Sequence, residues 1–148
     1  MPKYGVMLNR TASLTFGNNL ETAAAGPRRF KVYDLIVGSE AAPAENAFLY
    51  VVERTTVAST GGAVVTPAPK DPADVAASTV AREGTTGGQV LSGVVPLAIP
   101  LHQRATMRWY AVPGDEIVVA ATASAGISIY TPTAGGLVAI SQSIGFED

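Results

Sequence analysis

Apolar residues in this chain recur at every second position in short runs, and turn-forming residues interrupt the runs about every ten residues. This period-two pattern, more than any other feature, constrains the fold, because only strands place alternate side chains on one face. Residues 29–37 (RFKVYDLIV) put Phe30 and Val32 on one face and Tyr33, Leu35 and Val37 on the other. In residues 46–54 (NAFLYVVER), Ala47, Leu49 and Val51 alternate with Phe48, Tyr50 and Val52. Both faces are apolar there, which predicts a strand covered on both sides. Residues 90–95, 96–101, 105–112, 116–121, 126–131 and 137–144 continue the theme. Pro113-Gly114-Asp115, Ser124-Ala125-Gly126 and Ala134-Gly135-Gly136 are turn signals between them. The expected fold class is mostly β: an antiparallel β-sandwich, jelly-roll-like, or a β-barrel.

One departure from the rhythm is expected. Residues 55–88 form a long excursion rich in Gly, Thr, Ala and Pro. Within it, Asp71-Pro72-Ala73-Asp74 supplies an N-cap acceptor, a proline at the first helical position and an acid in the first turn. The Ala-rich stretch after it predicts one short helix through Ala81. Connections of this length are usually functional or exposed, and this one is read as an ordered insertion lying across a neighbour. With 148 residues the chain fits one domain, divided as an extended N-terminal arm at 1–28 and a single β-rich domain at 29–148.

Hydrophobic residues make up 47% of the chain and charged residues 15%, too apolar for a disordered polymer. The net charge is −2, and the densest basic spot is Arg28-Arg29 with Lys31. Nucleic-acid binding needs a basic patch that releases counterions, so no nucleic-acid partner is expected. No apolar run reaches the ~20 residues of a membrane helix, no secretory leader is recognisable, and the expected product is a soluble chain made in the cytoplasm.

The search for chemistry finds little. There is no cysteine, so disulfides, thiolate metal sites and cysteine nucleophiles are excluded. His102 is the sole histidine, and no Gly-x-Ser-x-Gly elbow accompanies it. Asp115 and Glu116 are adjacent, so on a strand they face opposite ways. Glu40 and Glu45 bracket a small-residue loop without the spacing of a calcium loop. No catalytic residue, cofactor or metal ligand is assigned, and the chain is expected not to be an enzyme. Trp109 reads as a core residue, with a glycan-stacking role as the alternative. Binding or assembly is left. The expected contact residues are Tyr4, Val6, Leu8 and Arg10 on the arm, which could add a strand to an open sheet edge, and Arg108 and Tyr110 on one strand face.

Three segments also carry a family resemblance. They are residues 33–50 (YDLIVGSEAAPAENAFLY), then Val65-Thr66-Pro67 with Asp71-Pro72-Ala73-Asp74, then residues 101–109 (LHQRATMRW) followed by Pro113-Gly114. Their joint order over residues 28 to 146 resembles small virion proteins of tailed bacteriophages. The resemblance implies a capsid decoration (cement) protein: a β-rich homotrimer on the outer surface of the head, whose partners are the major capsid protein and itself. It carries over no binding residues. The competing expectation is a phage surface or tail module that recognises host glycans.

Overall fold

The computed structural model describes residues 1–11, 16–39, 47–132 and 139–148; of Arg10, Thr11 and Phe48 it describes the backbone alone. Eight stretches of the described chain form two packed four-stranded antiparallel layers. In one layer, β1 (Lys3–Thr11) pairs β12 (Ala139–Glu147), which pairs β3 (Phe30–Ser39). The far edge of β3 is lined by two pieces of one interrupted strand, β9 (Met107–Tyr110) and β10 (Ile117–Val119). In the other layer, β2 (Asn18–Glu21) pairs β11 (Gly126–Tyr130), β11 pairs β4 (Ala47–Thr55), and β4 pairs β8 (Leu97–His102). We call these sheets A and B.

The pairings are nested: first strand with last, second with second-last, third with the interrupted strand, fourth with fifth. A long hairpin rolled up in this way is a jelly-roll sandwich, which resolves the choice between sandwich and barrel.

Between β4 and β8 the chain adds three short strands. β5 (Ala63–Val65) and β7 (Val80–Glu83) extend sheet B beyond β2, and β6 (Ala68–Pro69) extends sheet A beyond β1. The expected helix is absent. Asp71 accepts the Ala73 N–H on its side chain and the Asp74 N–H on its carbonyl, closing a turn. Only the end of the Ala-rich run beyond it, Val80 and Ala81, joins sheet B in β7, because ten residues of weak helix yield to tertiary pairing. Residues 90–95 are not a regular strand either. They follow the end of β4 through an isolated Thr55–Leu91 bridge and an Arg54 N–H to Val94 carbonyl bond of 3.0 Å. The insertion therefore runs to Pro96.

The described part of segment 1–28 also departs from the arm expected of it. β1 sits between β12 and β6, and β2 between β11 and β7. The long register of β1 with β12, from Lys3–Glu147 to Thr11–Ala139, satisfies its backbone within the chain.

Side chains from the two inner faces form one core. Tyr4, Val6 and Leu8 of β1, Phe30, Val32, Leu35 and Val37 of β3, and Ile140, Ile144 and Phe146 of β12 meet Leu20, Tyr50, Val52, Ile99, Ile127 and Ile129 of sheet B. Phe146 stacks on Tyr4 at 5.5 Å and meets Phe30 edge-on at 6.1 Å. Each such side chain contributes roughly 1.5–3 kcal/mol on burial.

Strict alternation would split the β3 residues between two faces, yet all four are buried. The cause is a β-bulge. Val32 pairs Phe146 and Asp34 pairs Gly145, so Tyr33 has no partner in the register. The extra residue shifts the phase by one. Leu35 and Val37 thereby return to the face of Phe30 and Val32, while Tyr33 swings out over Gly145, where an added Cβ would lie 3.1 Å from its ring.

Candidate functional site: a bare sheet face and an open mouth

The two broad outer faces of the sandwich differ. The outer face of sheet B carries Asn19, Glu21, Glu53, Thr55 and Ser128, all buried, because the insertion is fastened over them. Glu21, 2% exposed, accepts the Ser59 N–H at 2.6 Å and an Asn19 amide N–H at 3.1 Å. Gln89 accepts the other Asn19 contact at 2.8 Å. Glu53, 5% exposed, accepts the Gly93 N–H at 2.7 Å and the Tyr130 hydroxyl at 2.5 Å. Burial and Glu53 together raise the Tyr130 phenol to about 12. These acids anchor backbone. The insertion, expected to lie across a neighbour, packs on its own sheets.

Among the described residues, no strand or loop lies across the middle of sheet A's outer face, and only the Lys70 and Thr106 side chains reach over Gly5 and Gly38 at its margins. Paired positions place Met7, Ser143, Ile36 and Arg108 in one row across β1, β12, β3 and β9. The next row is Gly5, Gly145, Asp34 and Tyr110. Met7 is 60% exposed, and Arg108, Tyr110 and Ser143 are exposed. Gly145 leaves room for the Tyr33 ring to lie over it. Two charged pairs on the face are matched within the chain. Arg108 donates two 2.8 Å hydrogen bonds to the Asp34 carboxylate and lies 5.7 Å from the Tyr110 ring. Lys3 is 3.6 Å from Glu147 and 5.4 Å from the Tyr33 ring centre. Tyr33 and Tyr110 meet edge-on at 6.1 Å. Four strands at ~4.8 Å spacing and nine residues at ~3.3 Å rise make a face of about 600 Å².

The sides of the sandwich differ as well. Where β1 faces β7, the gap is sealed: the Asn9 N–H donates to Glu83 at 2.9 Å, and the Tyr4 hydroxyl donates to the Val75 carbonyl at 2.8 Å. Asp148 clamps the same side, accepting the Ser78 and Thr79 N–H groups at 2.6 and 2.8 Å. The opposite side, between β8 and the β9–β10 pair, gapes. A cleft of about 470 Å³ opens there, lined by Arg54, Leu97, Trp109, Ala111, Asp115 and Glu116 among others. Trp109 is partly buried against the core, and the Arg54 guanidinium donates to the Val118 carbonyl. The loop that interrupts the edge strand closes with an Asp115 N–H to Val112 carbonyl bond of 3.0 Å. The Gly114 and Glu116 backbone N–H groups hold the Glu116 carboxyl below its usual range, with Lys31 adding to the effect.

The sequence-predicted contact residues separate. Tyr4, Val6 and Leu8 point into the core, because β1 is an internal strand; the residue β1 exposes among them is Met7. Arg10 lies in β1 opposite Ile140, and its side chain is outside the described residues. Arg108 and Tyr110 stand together on the bare face of sheet A. Strand addition has poor edges to use: Pro100 lies in β8, residues 111–116 interrupt the other edge strand, and β6 is two residues long with a proline.

His102 is exposed at the end of β8, where its Nδ1 accepts the Arg104 N–H at 3.2 Å. Glu40 and Glu45 fall outside the described residues. Among the described residues, no group of three acidic or histidine side chains is placed to hold a metal ion, and no helix is long and apolar enough to cross a membrane. Sequence reasoning missed the buried Asn19, Glu21 and Glu53, whose polar types signal exposure unless a covering segment is known.

No family model, curated protein or solved structure matches the chain. The phage resemblance therefore rests on its three sequence segments. In the fold these fall on β3 and β4, on the insertion, and on β8, β9 and the following loop.

Proposed function

We propose that the chain is a structural virion subunit, a capsid decoration (cement) protein on the outer surface of a tailed-phage head. It holds neighbouring capsomers of the major capsid protein together and works as a homotrimer without catalysis, cofactor or nucleic acid. The observation that carries this reading is the bare outer face of sheet A. A face of about 600 Å², on which Arg108 pairs Asp34 and Lys3 pairs Glu147, suits a broad protein surface: standard interfaces use ~800 Å² per partner. Paired charges can be covered without leaving one unmatched. Three copies on one ring multiply a modest contact by avidity.

Mixing the purified chain with undecorated heads tests the reading. Saturable binding and a gain in the heads' thermal resistance are expected, and Met7→Lys should weaken binding at least about tenfold, the effect of ~1.4 kcal/mol, with an unchanged melting temperature. Heads that take up no protein refute it. The glycan-binding reading draws on one observation, the Trp109 and Tyr110 lining of the open cleft beside Arg54, Asp115 and Glu116. Trp109 is the only tryptophan, so a saccharide that changes its fluorescence saturably would favour that alternative.

A further inference from the structure

The last stretch of the insertion, residues 86–96, crosses the outer face of sheet B, and none of its residues is buried. Val90, Val94 and Val95 are 50%, 53% and 45% exposed, and Leu91 is half-buried. Apolar burial therefore contributes little to holding this stretch down. Hydrogen bonds hold it instead. Gln89 accepts from the Asn19 amide at 2.8 Å, and the Gly93 N–H donates to Glu53 at 2.7 Å. Backbone bonds tie it to the end of β4 and the segment beyond. The Ser92 N–H donates to the Arg54 carbonyl at 2.9 Å, the Arg54 N–H to Val94 at 3.0 Å, and the Thr56 N–H to Val90 at 3.0 Å. The side chains it touches beneath are polar: Asn19, Glu53 and Ser128. Its two ends are fixed. Thr85 is fully buried, with its hydroxyl donating to the Gly17 carbonyl at 2.6 Å. Leu97 opens β8, paired with the core residue Val52.

We infer that residues 86–96 are a strap that lifts from sheet B as one unit, between Thr85 and Leu97, while the sandwich stays folded. Segments with few buried apolar contacts and exposed backbone hydrogen bonds are the ones that open locally. Lifting uncovers polar groups that water satisfies, so each lost bond costs only its small net contribution. The motion also has a place to act. Pro96 forms part of one wall of the cleft beside Trp109. Arg54, whose backbone bonds Ser92 and Val94, lines the same cleft, and its guanidinium donates to the Val118 carbonyl. A raised strap releases the Arg54 backbone and draws Pro96 away, so the cleft widens toward Glu53. The strap is thus a gate on the open side of the roll, with the Glu53 carboxylate as its latch.

Native-state hydrogen exchange of the full chain in urea below the unfolding transition reads the opening. The amides of Thr56, Ser92 and Gly93 should exchange at least about a hundredfold faster than those of the β1–β12 ladder. Their dependence on urea should be shallower than the ladder's, because lifting exposes little surface. Thermolysin, which cuts before valine and leucine, should cleave within the strap and leave the rest of the chain intact. A lock supplies the control. Thr55 and Leu91 face each other in an isolated antiparallel bridge, flanked by the Thr56 and Ser92 bonds. That makes them a non-hydrogen-bonded pair, with Cα atoms ~4.5 Å apart, within disulfide reach. The chain has no cysteine of its own. Oxidised Thr55→Cys/Leu91→Cys should slow the strap amides at least about tenfold and suppress the cleavage, and reduction should restore both. Strap amides that exchange at the ladder's rate and with its urea dependence overturn the inference. So does an oxidised lock that leaves strap exchange and cleavage unchanged.

Discussion

Replacing Glu53 by leucine tests whether the buried acids of sheet B are anchors for the insertion. Leucine removes the acceptor for two donors, the Gly93 N–H at 2.7 Å and the Tyr130 hydroxyl at 2.5 Å. A hydrogen bond to a charged group contributes ~1.5–3 kcal/mol, and a stranded donor costs ~1–3 kcal/mol. Two opposing effects reduce the sum. Gly93 is exposed, so its N–H can turn to water, and leucine spares the desolvation of a buried carboxylate. The expected net loss is about 2–3 kcal/mol, which for a domain of this size lowers the melting temperature by roughly 5–10 °C. Glutamine should lose only about 1 kcal/mol, because its amide oxygen still accepts from Gly93 and its amide N–H can donate to the Tyr130 oxygen. Urea unfolding followed by circular dichroism measures both. A spectroscopic titration adds a readout that packing alone would not move. Glu53 helps to raise the Tyr130 phenol, so glutamine should bring it down from about 12, while Tyr50, raised to about 12 by burial alone, stays where it is. Gly93 directly precedes Val94 and Val95, so amide exchange there should quicken in the leucine variant. Equal stabilities for leucine and glutamine, or an unmoved Tyr130, would refute the anchoring argument.

Two further perturbations bear on the fold. Leu8→Ala should cost ~2–5 kcal/mol as a core truncation, and Met7→Ala, one residue away on the bare face, should stay within about 0.5 kcal/mol; similar losses in denaturant unfolding would contradict the placement of β1. Alkaline pH should destabilise the chain through Tyr50 and Tyr130, whose folded values lie near 12 against an ordinary 10.0. Between those values the unfolded phenol has released its proton and the folded one has kept it. The unfolded state then binds fewer protons, so stability is full below pH 10 and falls as pH rises, by about 2 kcal/mol for each tyrosine at pH 12. Stability unchanged over that range would count against their burial.

The layered β fold was legible because alternation is a local property. Phe30, Val32, Tyr50, Val52, Ile127 and Ile129 announce their strands without any knowledge of their partners. The bulge at Tyr33 was not legible, since it exists only in the pairing of β3 with β12, which are far apart in sequence. The helix expected after Asp71 failed for a related reason. Its capping residues make the same local hydrogen bonds in a turn, and the competing use of Val80–Glu83, pairing with β2 and β5, is a long-range event. β1 was misjudged as an arm because a strand near a chain terminus looks the same whether its partner is its own last strand or another molecule.

The candidate surfaces were harder to read for a physical reason. A site that transforms a ligand concentrates unusual side chains, and types and spacing can betray it. A surface that meets another protein is composed of ordinary residues, and their meaning depends on what the rest of the chain covers. Arg108 and Tyr110 could be placed on a common face from alternation alone, yet the bareness of that face follows only from the insertion lying over the other sheet. The same insertion seals the side where β1 meets β7 and leaves the side of Trp109 open. Its position is held by Glu21, Glu53, Glu83 and Asp148, four acids that accept backbone N–H groups across the fold. The acids that drew attention in the sequence, Asp115 and Glu116, lie instead on the rim of the mouth. One segment thus makes the sandwich two-sided, with the outer face of sheet B covered and that of sheet A bare of it, and with one flank sealed and the other open.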